Sequence, residues 1–221
     1  MSSRIITRTW RAWQGLSALD FLTLDTSGSG AGATATTGGT GPDAYLELAP
    51  AVTTSAYALL TGPTLDLNAV ESVSMSLIGC RFSHQTAIGL RLGAWDVGPA
   101  TKGGFISIPA GTASGNNSPF ARTVTFPTNS GSNPSPGDSK YVARYDNEWS
   151  KIRDLGVVMR PQAADKLMLL MEGDQAAVAW RHPQLALGTV TPALQVLMAT
   201  SGSIAARYVR CAGIDLSIAY K

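Results

Sequence analysis

His84 and His182 are the only imidazoles in this 221-residue chain. Nucleophilic catalysis needs such a base held against a serine or cysteine, with a third group orienting it. His84 lies in Phe82-Ser83-His84-Gln85, a strand end by its neighbours, and His182 precedes Pro183, which favours an extended loop. No Gly-x-Ser-x-Gly elbow is present. Glycoside hydrolysis needs two carboxylates facing one cleft. Fifteen acidic residues are available, but spacing sets no pair apart. The expectation is a chain with no catalytic residue.

Metal and cofactor signals are equally sparse. There is no His-Glu-x-x-His, no Cys-x-x-Cys and no calcium-loop pattern. Asp138, Asp146 and Asp174 fall in loops, where aspartates usually bond their own backbone. Gly28-Ser29-Gly30-Ala31-Gly32 is glycine-rich, but no lysine follows and no βαβ unit holds it, so it reads as a plain loop. Cys80 and Cys211 are far apart in sequence and read first as two small buried hydrophobes; they could pair only if their strands are neighbours. No cofactor and no metal is expected.

Two places could bind rather than react. Trp95-Asp96 puts an aromatic beside an acid at a strand end, a combination suited to sugars; the competing reading is a tryptophan closing the core rim beside a turn aspartate. At the start of the chain Arg4, Arg8 and Arg11 interleave with Trp10 and Trp13. Arg and Trp are the types most enriched at interface hot spots, so this segment reads as an arm docking on a neighbouring subunit. The competing reading is an edge strand with its tryptophans laid over the core. Three arginines are too few to mark a nucleic-acid arm.

Alternating residues supply the elements that would position these groups. Val73, Met75 and Leu77 alternate with serines; Ile88, Leu90 and Leu92 alternate with Gly89 and Arg91; Ile214, Leu216, Ile218 and Tyr220 alternate with Asp215, Ser217 and Ala219. Arg122 and Val124, flanked by Phe120 and Phe126, repeat the pattern. A period of two marks half-buried strands. Tyr45–Leu48, Tyr57–Leu60, Leu155–Met159, Leu167–Met171 and Ala193–Met198 read as further strands. The best helical spacing is Trp10–Leu22, with one turn conceivable over Asn147–Asp154. Two polar glycine/serine-rich loops are expected, at 26–44 and 129–138. This predicts an all-β chain: a β-sandwich with little helix, a lead-in arm over 1–22 and a single domain over 23–221.

Composition adds two expectations. Only 14% of residues are charged and the net charge is +2, which excludes charge-driven disorder and gives no basic footprint for nucleic acid. A charge-poor surface suits a protein whose faces are covered by neighbours. No secretion signal and no membrane-length apolar run is present, which predicts folding in a cytoplasm.

Taken in order, Tyr57-Ala-Leu-Leu-Thr-Gly-Pro-Thr-Leu-Asp-Leu67, the strand at 70–78, Ile88-Gly-Leu-Arg-Leu-Gly-Ala-Trp-Asp96 and the closing Gly213–Tyr220 resemble jelly-roll sandwiches. Domains of this kind occur in carbohydrate-binding modules and in virion proteins of tailed bacteriophages. The resemblance, with the low charge and missing signal, implies a structural protein of a phage particle. It would be a capsid decoration, minor capsid, tail or baseplate component contacting other virion proteins and copies of itself. The alternative is a carbohydrate-binding module or receptor-binding fibre head touching a host surface glycan.

Overall fold

The computed structural model describes residues 4–26, 30–53, 56–83, 88–97, 102–108, 121–125, 139–142, 153–163, 167–172, 175–181, 185–198 and 207–221. Its strands are β1 (Ile5–Arg11), β2 (Thr23–Asp25), β3 (Thr34–Gly38), β4 (Tyr45–Ala49), β5 (Tyr57–Thr61) and β6 (Leu65–Asp66), then β7 (Val70–Phe82), β8 (Ile88–Trp95) and β9 (Gly103–Ile108). They continue as β10 (Ala121–Thr125), β11 (Ser139–Val142), β12 (Arg153–Arg160), β13 (Leu167–Glu172), β14 (Gln175–Arg181), β15 (Thr189–Met198), β16 (Val209–Cys211) and β17 (Gly213–Tyr220). One sheet runs β14-β13-β12-β7-β16-β4-β3, with β17 beside β7 and β1 outside β17. The other runs β11-β10-β9-β8-β15-β5-β2, with β6 on β15. Every pairing among the described residues is antiparallel. The expected all-β sandwich is the fold observed.

Alternation fixes which face each sheet buries. Val73, Met75 and Leu77 of β7 and Ile214, Leu216 and Ile218 of β17 join the main core, facing Ala58, Leu60, Leu90, Leu92, Leu194 and Val196 of the other sheet. Ser72, Ser74 and Ser76 point the other way and stay half-exposed. The second sheet departs from this one-sided scheme. Along β8, Leu92 and Ala94 face the main core while Trp95 faces the opposite side and is equally buried. That is why β8 and β15 carry near-continuous apolar runs: both of their faces are covered.

Pro192 lies within β15, where a missing N–H would break a central ladder. The break falls where it costs little. The last β5 pairing is Thr61 with Ala193, and β5 then leaves the sheet through Gly62-Pro63. The Gly62 N–H donates to the Pro192 carbonyl at 2.8 Å, the group Pro192 still offers on that side.

β7 and its partner change phase together. Leu77 and Cys80 both point inward although three residues apart, and so do Cys211 and Ile214. Gly79 has φ +61°, a conformation that suits glycine, and its N–H donates to Asp154 Oδ1 at 2.7 Å. The slips on the two strands cancel: Arg210 faces Arg81 on one side of the break and Gly213 faces Ile78 on the other.

The helix expected over Trp10–Leu22 does not form. β1 carries the chain through Arg11, and two single 3₁₀ turns follow, Ala12–Gln14 and Leu16–Ala18. Gly15, at φ +81°, divides them. The expected loop at 26–44 contains β3, paired to β4 through Thr34–Gly38, because Leu46 and Leu48 need a covered strand beside them. The expected loop at 129–138, residues 147–152 of the expected single turn, Phe120 and Phe126 lie outside the described residues, as do His84, His182, Asp138, Asp146 and Asp174.

Candidate functional site

The segment read as a docking arm is a strand of the domain's own sheet. β1 pairs with β17 along its whole length, from Ile5–Ala219 to Arg11–Gly213. Trp10 is 0% exposed and its Nε1–H donates to the Gly15 carbonyl at 3.0 Å, so it is a core residue and no interface anchor. Arg11 is occupied as well: it lies across β17 and donates to Asp215 at 2.5 and 3.2 Å. That carboxylate holds the guanidinium pKa above its usual value despite the opposing effect of burial. Arg4 and Arg8 are exposed, and Trp13 is 66% exposed. Of the five residues assigned to an assembly interface, Arg4, Arg8 and Trp13 therefore stand free on the surface, while Trp10 and Arg11 are engaged within the chain.

Trp95 and Asp96 are also engaged. Trp95 is 1% exposed and packs with Leu59, Phe105 and Ala193 in a second buried cluster, its ring centroid 4.9 Å from that of Phe105. A ring so covered offers no face to a sugar, which corrects the expected glycan contact at this pair. Asp96 accepts the Lys102 N–H at 2.9 Å and returns its own N–H to the Lys102 carbonyl at 3.3 Å, closing the turn between β8 and β9. Arg91 lies on the same face, 5.0 Å from the Phe105 centroid, and donates to Gln195 Oε1 at 3.3 Å. Burial lowers its pKa. At the other end of the face, burial raises the Tyr57 pKa, and the charge and hydrogen bond of Asp25 add to the rise.

A third polar cluster is satisfied internally. Arg210 lies 4.0 Å from the Tyr45 ring centroid and 4.4 Å from that of Tyr208, and donates to Glu47 Oε2 at 2.9 and 2.7 Å. Arg210 and Glu47 are directly opposed across β16 and β4, so the pair clips two strands together.

The remaining feature is an open cleft of about 460 Å³ where the two sheets part beside β1. Pockets for small ligands usually run from ~300 to ~1,000 Å³. Ile6, Leu216 and Ile218 line it from the first sheet, and Thr23, Thr61, Gly62 and Pro63 from the second. Arg8, Asp20, Phe21 and Tyr220 complete the lining. Their placement follows from the chain. In β1, Ile6, Arg8 and Trp10 alternate on the inner side, opposite Ile218, Leu216 and Ile214. Trp10 is covered, but Arg8 lines the cleft and stays exposed. Leu19 and Leu22 are buried, which turns Asp20 outward and leaves Phe21 half-buried at the cleft. Among the described residues the cleft thus brings together one cation, one carboxylate, two aromatic rings and two threonines. Sequence reasoning reached only Arg8. Asp20, Phe21 and Tyr220 carry no local motif, because the β1–β17 pairing joins segments some 200 residues apart.

Among the described residues no three His, Cys, Asp or Glu side chains gather as metal ligands, and no helix is long and apolar enough to cross a membrane. No protein-family model matches the chain, and no curated protein sequence matches it. Its fold is found among solved structures. The carbohydrate recognition domain of Emp47p is 14% identical, with a TM-score of 0.56 over 89% of this chain and 88% of that one. Lectin UEA-II, complexed with galactose, is 9% identical, with a TM-score of 0.58 over 96% and 98%. A GH16 protein of the Bacteroides ovatus mixed linkage glucan locus, bound to a G4G4G3G product, is 8% identical, with a TM-score of 0.58 over 96% and 99%. At these identities the likeness is one of fold: a jelly-roll-like lectin sandwich. The fold thus likens the chain to lectin and glycosidase domains and not to virion proteins, which corrects the expected phage capsid and tail terms.

Proposed function

We propose that this chain is a carbohydrate-binding domain and that its glycan occupies the cleft beside β1. The observation that carries the reading is what the cleft holds. Phe21 and Tyr220 supply ring surface for the C–H face of a pyranose, while Arg8 and Asp20 supply a planar donor and a planar acceptor for adjacent hydroxyls. The apolar lining from Ile6, Leu216 and Ile218 excludes water beneath them, which strengthens each polar contact. The fold, shared with a carbohydrate recognition domain and a galactose-complexed lectin, supports the reading.

Binding is favoured over hydrolysis by one detail. Asp20 is the one carboxylate among the described residues lining the cleft, and glycoside cleavage ordinarily takes two. The test is a glycan array followed by calorimetric titration of the hits. Arg8→Ala and Asp20→Ala change exposed side chains and should leave the melting temperature in place. Each should weaken binding by about 10- to 100-fold, the value of a charge-assisted hydrogen bond of ~1.5–3 kcal/mol. A bound glycan whose affinity neither substitution alters would place the site elsewhere and defeat the proposal.

A further inference from the structure

The only two cysteines of the chain, 131 positions apart, come to face one another in the folded core. Cys80 lies in β7 and Cys211 in β16. The register Val209–Phe82 and Arg210–Arg81 leads directly to Cys211 opposite Cys80, and Gly213–Ile78 recovers the same register beyond the paired irregularity. Both side chains point inward, both are buried, and both belong to the main core cluster. Facing residues of an antiparallel pair have Cα atoms ~4.5–5.5 Å apart, inside the ~4.4–6.8 Å window that a disulfide spans. Two buried cysteines on unrelated strands would satisfy packing alone; placement opposite one another satisfies pairing too.

We propose that Cys80 and Cys211 form a cross-strand disulfide when the chain folds in the presence of a low-molecular-weight disulfide. One cysteine thiolate attacks a sulfur of the reagent, breaks its S–S bond and releases one thiolate. The second cysteine then attacks the protein sulfur of the mixed disulfide and displaces the other half of the reagent. Two thiol protons and two electrons leave the cysteine pair, and the reagent is reduced to two thiols. The order of events matters. In the folded chain burial pushes the Cys211 thiol up to about 12, and burial with the neighbouring thiol pushes Cys80 well up, so almost no thiolate is present at neutral pH. The bond therefore closes during folding, while the sulfurs are open to reagent, and is shielded afterwards. A disulfide between β7 and β16 would lock the strand that already carries the Arg210–Glu47 clip onto the centre of the sheet.

The experiment starts from reduced, denatured full-length chain refolded in a reduced/oxidised glutathione buffer. It is then quenched, denatured, alkylated and weighed by mass spectrometry. The expected product carries no alkyl group and is two hydrogens lighter than the reduced chain. Its melting temperature should lie above that of chain refolded under reductant. Cys80→Ala and Cys211→Ala should each abolish that gain. Recovery of folded chain with two alkylatable thiols overturns the proposal, and so does a mixed disulfide with glutathione as the end state. If the buffer itself hinders refolding, air oxidation of slowly dialysed chain, read by the same mass, gives the second measurement. There too, two free thiols in folded protein count against it.

Discussion

Replacing Trp10 by alanine should do more damage than any other single change in the first 22 residues. The indole is fully buried, at the end of β1, where it covers the β17 side of the core. Removing a buried aromatic costs about 3–5 kcal/mol. Losing the Nε1–H bond to the Gly15 carbonyl adds about 1 kcal/mol, because that carbonyl holds the turn after the strand. Set against a total of about 5–15 kcal/mol for a domain, this is a large fraction. At about 2–4 °C per kcal/mol for a chain of this size, the melting temperature should fall by roughly 10 °C or more. Trp10→Phe keeps a ring and loses the donor, so it should fall between. Trp13→Ala, at 66% exposed, should stay within about 0.5 kcal/mol of the wild type. The assay is urea unfolding followed by circular dichroism, with the thermal melt alongside. Removal of residues 1–13 extends the test: it uncovers Ile214, Leu216 and Ile218 and should leave no cooperative transition. A truncated chain that melts normally, or Trp13→Ala costing more than Trp10→Ala, would refute the assignment of this segment to the core.

Three further outcomes follow from the packing. A Cβ on Gly93 would come 2.6 Å from the Phe105 Cα, against backbone that cannot yield, so Gly93→Ala should destabilise by about 1–3 kcal/mol in urea titration. Arg210→Lys keeps the charge near Glu47 but loses the flat contact with Tyr45 and Tyr208; about 1 kcal/mol should be lost in the same assay. In the reduced protein both thiols hold their protons more tightly folded than unfolded, so each contributes stability that is present below pH ~9 and is lost as pH rises; for Cys211 the loss runs at about 1.4 kcal/mol per unit towards about 12. Cys211→Ala should flatten that slope between pH 8 and 10.5, and an unchanged slope would contradict the raised thiols.

The strands were legible where one face meets water. Val73, Met75 and Leu77 against three serines can satisfy only a half-buried strand, and β7 is one. Legibility failed where the chain serves two environments at once. Leu16, Leu19 and Leu22 have helical spacing, yet Gly15 at φ +81° and the pull of Trp10 into the sheet leave only isolated 3₁₀ turns. Trp95 could be read as platform or as core, because alternation tells which face it occupies but not whether that face is covered. The phase slips at Gly79 and before Ile214 have no residue signature beyond a glycine, and only the slips reveal that Cys80 and Cys211 face each other. The low charge that suggested covering by neighbours has one internal source: β8 and β15 are buried on both faces and hold few polar side chains.

The β1–β17 pairing also sets how the sandwich answers to load. The Tyr220 N–H donates to the Arg4 carbonyl at 2.9 Å, so the outermost residues of both strands lie side by side at one end of the ladder. Tension applied across them opens the ladder from that end, pair after pair, as a zipper opens; it does not shear all the bonds together. Of the first pairs to part, Ile5 with Ala219 and Ile6 with Ile218, the second lines the cleft. A glycan held between Arg8 on β1 and Asp20, three residues before β2 of the second sheet, would tie the peeling strand to the chain that stays behind. Occupancy should then raise the force needed to peel β1, and pulling should speed release of the sugar, so the same strand would act as fastener and as trigger.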